Sequence, residues 1–252
     1  MPEGSKARRL VRFARLSQRD GERYAILVKQ HWAAWGISGR AHSYQWWLQS
    51  HRPSRRELAR QRRSSRRWSS PISIGVVLLW DHGPASTASA TIHSLQRQTW
   101  DHWRAAVPEA IAAEFRDDER VVAVADDAST ADVIQTLRLE PRDFLMFLEP
   151  GDRVVASALF QIARAPWRNP MLDLVYWDDD ELDRFGLPHH PRFRPEWSPE
   201  TLLGANFVGR SFAMRARRYT QANGRRAELG DATWWDLLLR SGLTAERAGL
   251  RS

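Results

Sequence analysis

The 252-residue chain contains no cysteine, is 42% hydrophobic and 27% charged, and carries a formal net charge of +8. It is long enough for one or two domains with a real core and too apolar for a disordered chain; without thiols it has no disulfide scaffold, thiolate zinc or iron–sulfur site, or cysteine nucleophile. No apolar run approaches the roughly 20 residues that cross a bilayer, and no apolar segment follows the basic N-terminus, so a cytoplasmic protein is the expectation.

The charge is uneven. Residues 1–70 hold 17 Lys and Arg against 4 Asp and Glu, whereas the remainder holds 21 against 26. A basic arm (1–70) therefore precedes a mildly acidic body (71–252), with the boundary at Pro71 after the run Arg55, Arg56, Arg60, Arg62, Arg63, Arg66 and Arg67. The arm also carries Tyr24, Trp32, Trp35, Tyr44, Trp46 and Trp47, too many apolar rings for a simple tail. Its stretch Ser54 to Arg67 lacks glycine and proline and suits a helix with an arginine-rich surface. Three readings of that surface stand side by side. It is a solvated face, a contact for anionic lipid head groups at about 1 kcal/mol per basic residue, or a set of phosphate contacts to nucleic acid. No recognition motif accompanies the arginines, so nucleic acid is the least supported partner.

The body alternates strands and helices. Ile72 to Trp80 is a continuous β-branched run, the pattern of a strand covered on both faces. Ser86 to Gln98 places Ala88, Ile92 and Leu95 at helical spacing. A second strand is predicted at Trp103 to Val107, followed by helix through Phe115, and a third strand at Arg120 to Ala125. A helix over Asp126 to Leu139 is entered through Asp127 or Ser129. Phe144 to Leu148 is another buried strand, ended by Glu149-Pro150-Gly151-Asp152, and a helix over Val154 to Ala165 leads to a fifth strand at Leu172 to Trp177. This order predicts an α/β fold, a mostly parallel twisted sheet with helices on both faces. Ligands of such sheets bind beyond the carboxyl ends of the strands. That selects the loop after Trp80, the turn at Glu149 to Asp152, and Asp178 to Glu181.

No dinucleotide fingerprint, P-loop, nucleophile elbow or zinc-protease helix is present. What remains is carboxylates at strand ends, hard oxygen ligands suited to Mg²⁺ or Mn²⁺. Such an ion bridges a diphosphate and stabilises it as a leaving group. The competing reading of Asp152 is a helix cap. His189 and His190 sit beside prolines and read as an exposed loop rather than a metal site. Among the thirteen tryptophans, Trp80, Trp177, Trp197 and Trp234 fall near the expected cleft, where flat rings stack on sugar or base.

These segments resemble the inverting family 2 glycosyltransferases with the GT-A fold, of the bacterial O-antigen and rhamnosyltransferase type. The likeness runs from about Tyr44 to Arg240. It rests on YQWWLQSHRPSRRELAR, PISIGVVLLW, SLQRQTWDHW, FLMFLEPGD and DLVYWDDDELDRFG, and most specifically on RFRPEWSPETLLGANFVGRSFAMRARRY. The last is similar to the family's F/K-P-x-W-S-P-x-x-L-L-x-x-N-Y-x-G block.

The resemblance implies transfer of a sugar from a nucleotide-diphosphate sugar to a polysaccharide or lipid-linked acceptor, with inversion. It implies Glu149 and Asp152 as ligands of Mg²⁺ or Mn²⁺, and Trp80, Asp81, Asp178, Asp179, Asp180 and Asn206 as nucleotide-sugar contacts. Several positions depart from the pattern. The second strand leads into Pro108-Glu109-Ala110 where the family has the aspartates that hold the base, and the string Asp126 to Thr130 comes one element too late. Gly151 replaces the central aspartate of the metal motif, and Trp234 stands at the position of the catalytic base, where an indole has no basic site. Asp236 and Asp231 are the local alternatives. The chain closes soon after Arg240, where the family adds a final strand. A non-catalytic relative serving as a binding or scaffolding module is the rival expectation. A cytoplasmic protein peripheral to the inner membrane face is the corresponding location.

Overall fold

The computed structural model describes residue 44 and residues 47–79, 85–125 and 128–251. The chain divides into two compact units, a larger one of Pro53–Asp178 with Phe193–Ser252 and a smaller one that takes in Asp179–Arg192 and the described residues before Pro53. The break thus falls at Arg52–Pro53, not at Pro71.

Helix α1 (Arg55–Ser65) explains the difference. Ser54 caps it by accepting a hydrogen bond from the Glu57 amide at 3.2 Å. Its buried positions, Gln61 and Ser65, face the rest of the larger unit, and Thr99 donates to Gln61 at 2.8 Å. Just beyond, Trp68 lies 4.9 Å from the Trp100 ring and 5.1 Å from that of Trp167. The predicted helix is present over Arg55–Ser65, and its five arginines and Arg66 and Arg67 just beyond are all exposed, but its polar seam fastens it to the body.

The larger unit is built on a sheet of β1 (Ile74–Leu78), β2 (Trp103–Val107), β3 (Val121–Ala123), β4 (Phe144–Leu148), β5 (Leu174–Trp177), β8 (Phe212–Arg215) and β9 (Ala248–Arg251), in the order β3-β2-β1-β4-β8-β5-β9. All pairings are parallel except those of β8, which runs antiparallel to both β4 and β5. Strands β2 and β4 occupy the residues predicted for them, and β1, β3 and β5 are shorter at their ends. A final strand, β9, does follow Arg240 and pairs with β5, which corrects the expectation that the chain closes without one.

Each strand feeds alternate residues to opposite faces. Ile74, Val76, Leu78, Phe144 and Met146 join Ile92 and Leu95 of α2 (Ala85–Gln96) and Leu159 and Ile162 of α5 (Ala158–Arg168) in one core. Leu145, Phe147, Leu174, Tyr176, Phe212 and Met214 form the other. There they meet Leu202 of α6 (Pro199–Gly204) and Trp234 and Leu237 of α8 (Thr233–Arg240). Full burial of such side chains contributes about 1.5–3 kcal/mol each. The remaining helices are α3 (Glu109–Ala112), continued by a short 3₁₀ turn, α4 (Thr130–Thr136) and α7 (Ala216–Gln221). Helix α4 is entered through Ser129, which forms a reciprocal capping box with Asp132; Asp126 and Asp127 lie outside the described residues.

At the amino end of β5, the fully buried carboxylate of Asp173 meets four arginines. These are Arg215 at 3.0 Å, Arg217 at 3.0 Å, Arg218 at 3.0 Å and Arg247 at 2.8 Å.

In the smaller unit, β6 (Asp179–Leu182) and β7 (Pro188–Arg192) form an antiparallel hairpin. Its turn is closed by Asp183, whose Oδ1 accepts from the amides of Phe185 and Leu187, both at 2.8 Å. His189 and His190 are therefore on a strand rather than in a loop.

Candidate functional site

Strand β4 ends at Leu148, and the next four residues make a tight turn. The Glu149 amide donates to Asp152 Oδ2 at 2.8 Å, and Gly151 has φ +98°, a conformation side chains other than glycine's rarely adopt. Helix α2 holds this turn from below. Thr91 Oγ1 accepts from the Gly151 amide at 2.9 Å, Ser94 Oγ accepts from the Val154 amide at 3.2 Å, and Gln98, just past the helix, donates to the Val155 carbonyl at 2.8 Å. Thr91 and Ser94 lie three apart on one helical face, and with Gln98 beyond the helix they fix the turn. Restoring the family's aspartate here is expected to be costly: Gly151→Asp should destabilise the larger unit by about 1–3 kcal/mol through backbone strain, read as a lower urea midpoint.

The register of the sheet decides what faces this turn. Strands β4 and β8 pair Phe144 with Arg215 and Met146 with Ala213, so the turn that enters β8 lies beside the end of β4. On the other side, β5 pairs Tyr176 with Phe212, and the Trp177 amide donates to the Ser211 carbonyl at 3.1 Å. Arg210, in the turn just before β8, thus reaches the carboxylates at the end of β4. Its guanidinium grips Asp152 bidentately, Nη1 to Oδ2 at 2.8 Å and Nη2 to Oδ1 at 3.0 Å, and Nη1 lies 3.2 Å from Glu149 Oε2. Asn206 prepares the approach. Its side-chain oxygen accepts from the Gly209 amide at 2.9 Å, and Gly209 takes φ +67° immediately before Arg210. Asn206 is accordingly a loop-forming residue here.

The expected metal ligands are therefore brought together, but as an arginine's partners. Both oxygens of Asp152 accept hydrogen bonds, Gly151 supplies no carboxylate and Pro150 no side-chain donor. Mg²⁺ requires near-octahedral oxygen ligation, and as folded this donor set does not fit Mg²⁺ or Mn²⁺.

The aspartates at 178–180 part company. Asp178, in the larger unit, accepts from the Arg194 amide at 2.7 Å. Asp179 and Asp180 belong to the smaller unit, where Asp179 accepts from Arg192 Nε at 2.6 Å and Asp180 accepts from the Tyr44 hydroxyl at 2.7 Å. Burial pushes the Asp180 carboxyl above its ordinary value, and the Tyr44 hydrogen bond only partly offsets this. Also in that unit, His190 Nδ1 stands 3.5 Å from Glu181 Oε2 beside His189.

Of the two base candidates, Asp236 is committed elsewhere. Arg240 donates to it at 2.8 Å from Nε, and Arg226 lies 3.5 Å away. The Arg240 hydrogen bond holds its carboxyl below the usual range, which makes it a poorer proton acceptor. Asp231 is exposed on the 3₁₀ stretch Ala227–Ala232 that leads into α8. The indoles near the expected cleft are structural. Trp234 packs 4.9 Å from Phe147 and 6.0 Å from Phe212, and Trp197 is buried with its N–H donated to the Leu243 carbonyl at 3.2 Å. Trp177 is half-buried against the core. Trp80 and Asp81 lie outside the described residues.

A concavity of about 580 Å³ lined by His93, Glu114, Asp117, Asp118 and Arg120 lies elsewhere. It adjoins the start of β3, at the amino-terminal rim of the parallel strands, the end that does not carry ligand sites in such sheets. The carboxyl rim with Arg210 is the better site. Sequence reading did not single out Arg210 or Thr91; the signal available for Arg210 was its place inside the W-S-P…N-F-V-G-R segment.

The sheet order and its single antiparallel strand define an α/β GT-A fold. Solved structures of TarS from S. aureus share it. Its fragment 1–349, in complex with UDP and alone, superposes with a TM-score of 0.53 and 15% identity, over 72% of this chain and 58% of that one. The O-antigen biosynthesis protein RfbC of Myxococcus xanthus is 36% identical over 98 residues, which is 39% of this chain and 8% of the relative. The chain thus spans well under two thirds of each of these proteins. No family model matches it. In sequence and fold together the chain resembles the family 2 glycosyltransferases.

Proposed function

We propose that the chain is a glycosyltransferase domain that moves a sugar from a nucleoside-diphosphate sugar to a glycan or lipid-linked acceptor, with inversion. The observation that carries this reading is the convergence of the Glu149–Asp152 turn, Arg210 and the Asp178 strand end at the carboxyl rim of a GT-A sheet. The likeness to a protein of O-antigen biosynthesis, and to a fold solved with UDP, supports it. In the reaction, an acceptor hydroxyl oxygen attacks the anomeric carbon while the bond to the diphosphate breaks on the opposite face. The hydroxyl proton passes to a carboxylate, and the nucleoside diphosphate leaves with the electron pair. Asp231 is the residue assigned to that proton: it stands three residues before Trp234, whose ring contacts Phe147 and Phe212 near the same rim. Arg210 offers donors to the departing diphosphate. The exposed arginines of α1 supply a surface for an anionic membrane that carries a lipid-linked acceptor, at the cytoplasmic face.

A non-catalytic binding module is the second reading, favoured by the burial of Trp234 at the position where the family keeps its base. Incubating the purified chain with a panel of UDP-, GDP-, CDP- and dTDP-sugars separates the two. Release of a nucleoside diphosphate from at least one donor is expected; binding without turnover of any donor, with or without acceptor glycan, supports the module instead.

A further inference from the structure

Taking the reading above as its basis, we infer that Arg210 occupies the place of the divalent cation: its guanidinium is the fixed positive charge of the Glu149–Asp152 turn, and the donor's diphosphate binds there without a metal ion.

Three observations lead to this. The first is topology. Arg210 sits in the turn that enters β8, and β8 lies between β4 and β5, so that turn falls beside the end of β4 that leads into Glu149 and Asp152. The second is geometry. A fork-to-fork contact at 2.8 and 3.0 Å to Asp152, with a further approach at 3.2 Å to Glu149, satisfies both oxygens of Asp152 and leaves a divalent ion with too few ligands. The third is the turn itself. Gly151 stands where the family's motif has its middle carboxylate, and at φ +98° it is held in a conformation an aspartate adopts only under strain.

Guanidinium suits the substitution. It keeps its charge at every accessible pH, and its planar donors match phosphate oxygens as well as carboxylates. With Nη1 spent on Asp152 and Glu149 and one Nη2 proton spent on Asp152, the Nε–H and the second Nη2–H have no partner among the described residues and are offered to a ligand. The two carboxylates thus act as positioning residues: they aim the guanidinium and fix its rotamer, and the arginine presents its other edge to the diphosphate. Arg210 is about one third exposed, consistent with an edge that a ligand can reach.

Two measurements on the full chain test this. In the first, Mn²⁺ is titrated and followed by its electron paramagnetic resonance signal. Wild type is expected to leave the free-ion signal unchanged. Arg210→Ala, which releases both carboxylates, is expected to gain a Mn²⁺ site that Asp152→Asn in the same background removes. Mn²⁺ binding by wild type that depends on Asp152 would overturn the inference. In the second, UDP, GDP, CDP and dTDP are titrated calorimetrically in EDTA. One of them is expected to bind wild type as tightly as it does with Mn²⁺, about tenfold or more weaker in Arg210→Ala, and between the two in Arg210→Lys, which keeps the charge and loses the fork. Affinity that appears only with Mn²⁺, or that survives Arg210→Ala, would count against Arg210. If no nucleoside diphosphate binds under either condition, the transferase reading fails, and the Mn²⁺ titration still decides whether the arginine excludes the metal.

Discussion

Replacing Asp173 by alanine is expected to cost about 3–5 kcal/mol of stability, the usual penalty for removing one partner of a buried ion pair. The reason lies in what is left behind. Arg215 is buried, and although it also donates to the carbonyls of Leu172, Pro170 and Arg142, Asp173 is the carboxylate that pairs with it among the described residues. Arg217, Arg218 and Arg247 converge on the same two oxygens. The single carboxylate ties the start of β5 to the end of β8, to α7 and to the approach to β9. A urea titration should show the loss as a lower midpoint with an unchanged slope; a shift under about 1 kcal/mol would mean that water already screens the cluster. The pH dependence follows with a definite sign. Burial raises the Asp173 carboxyl, but hydrogen bonds from Arg217, Arg218 and Arg247 outweigh it and bring the value below the ordinary carboxylate range. A group depressed in the folded state stabilises fully above its unfolded value of about 4 and loses that contribution as the pH falls. Asp118, lowered to about 2 chiefly by its hydrogen bond from Arg120, acts in the same direction. Acid unfolding should begin below about pH 4, and Asp173→Ala should show a shallower pH dependence there than wild type.

The second large effect concerns turnover. Asp231→Asn should lower kcat by about 10²–10⁴, the range that a positioned general base contributes, while nucleoside diphosphate affinity stays within about twofold. A rate equal to wild type would remove Asp231 from the chemistry. Asp236→Asn is the informative contrast, because Asp236 is already engaged by Arg240 and Arg226 and its loss should register in stability rather than in rate.

Much of the fold was legible because hydrophobic runs bounded by breakers are local signals. Trp103 to Val107 and Phe144 to Leu148 read as strands from their own composition, and they are strands over those residues. The elements that escaped have weak local signals. Strands β8 and β9 are four residues each, with arginine at the end of both, and become strands through their neighbours on β5. The site divides along the same line. Glu149 and Asp152 were readable because Pro150 and Gly151 announce a turn. Arg210 was not, since its meeting with them depends on an antiparallel register between segments some sixty positions apart. The block Asp178 to Asp180 looked like one acidic patch, yet the chain passes from one compact unit to the other between Asp178 and Asp179. The arginine run before Pro71 suggested a separate arm, whereas the three neutral side chains Gln61, Ser65 and Trp68 dock its helix.

The reversed direction of β8 has a further consequence. This short segment carries an arginine at each pole, Arg210 before it and Arg215 at its end, and each is matched to acidic partners on opposite rims of the sheet. Side chains alternate along an extended backbone, so adding or deleting one residue between those poles would turn Phe212 and Met214 to the wrong face and unseat one arginine or the other. Length in this stretch is therefore a quantity under constraint: an insertion there would disconnect the foundation of the domain from its carboxyl rim.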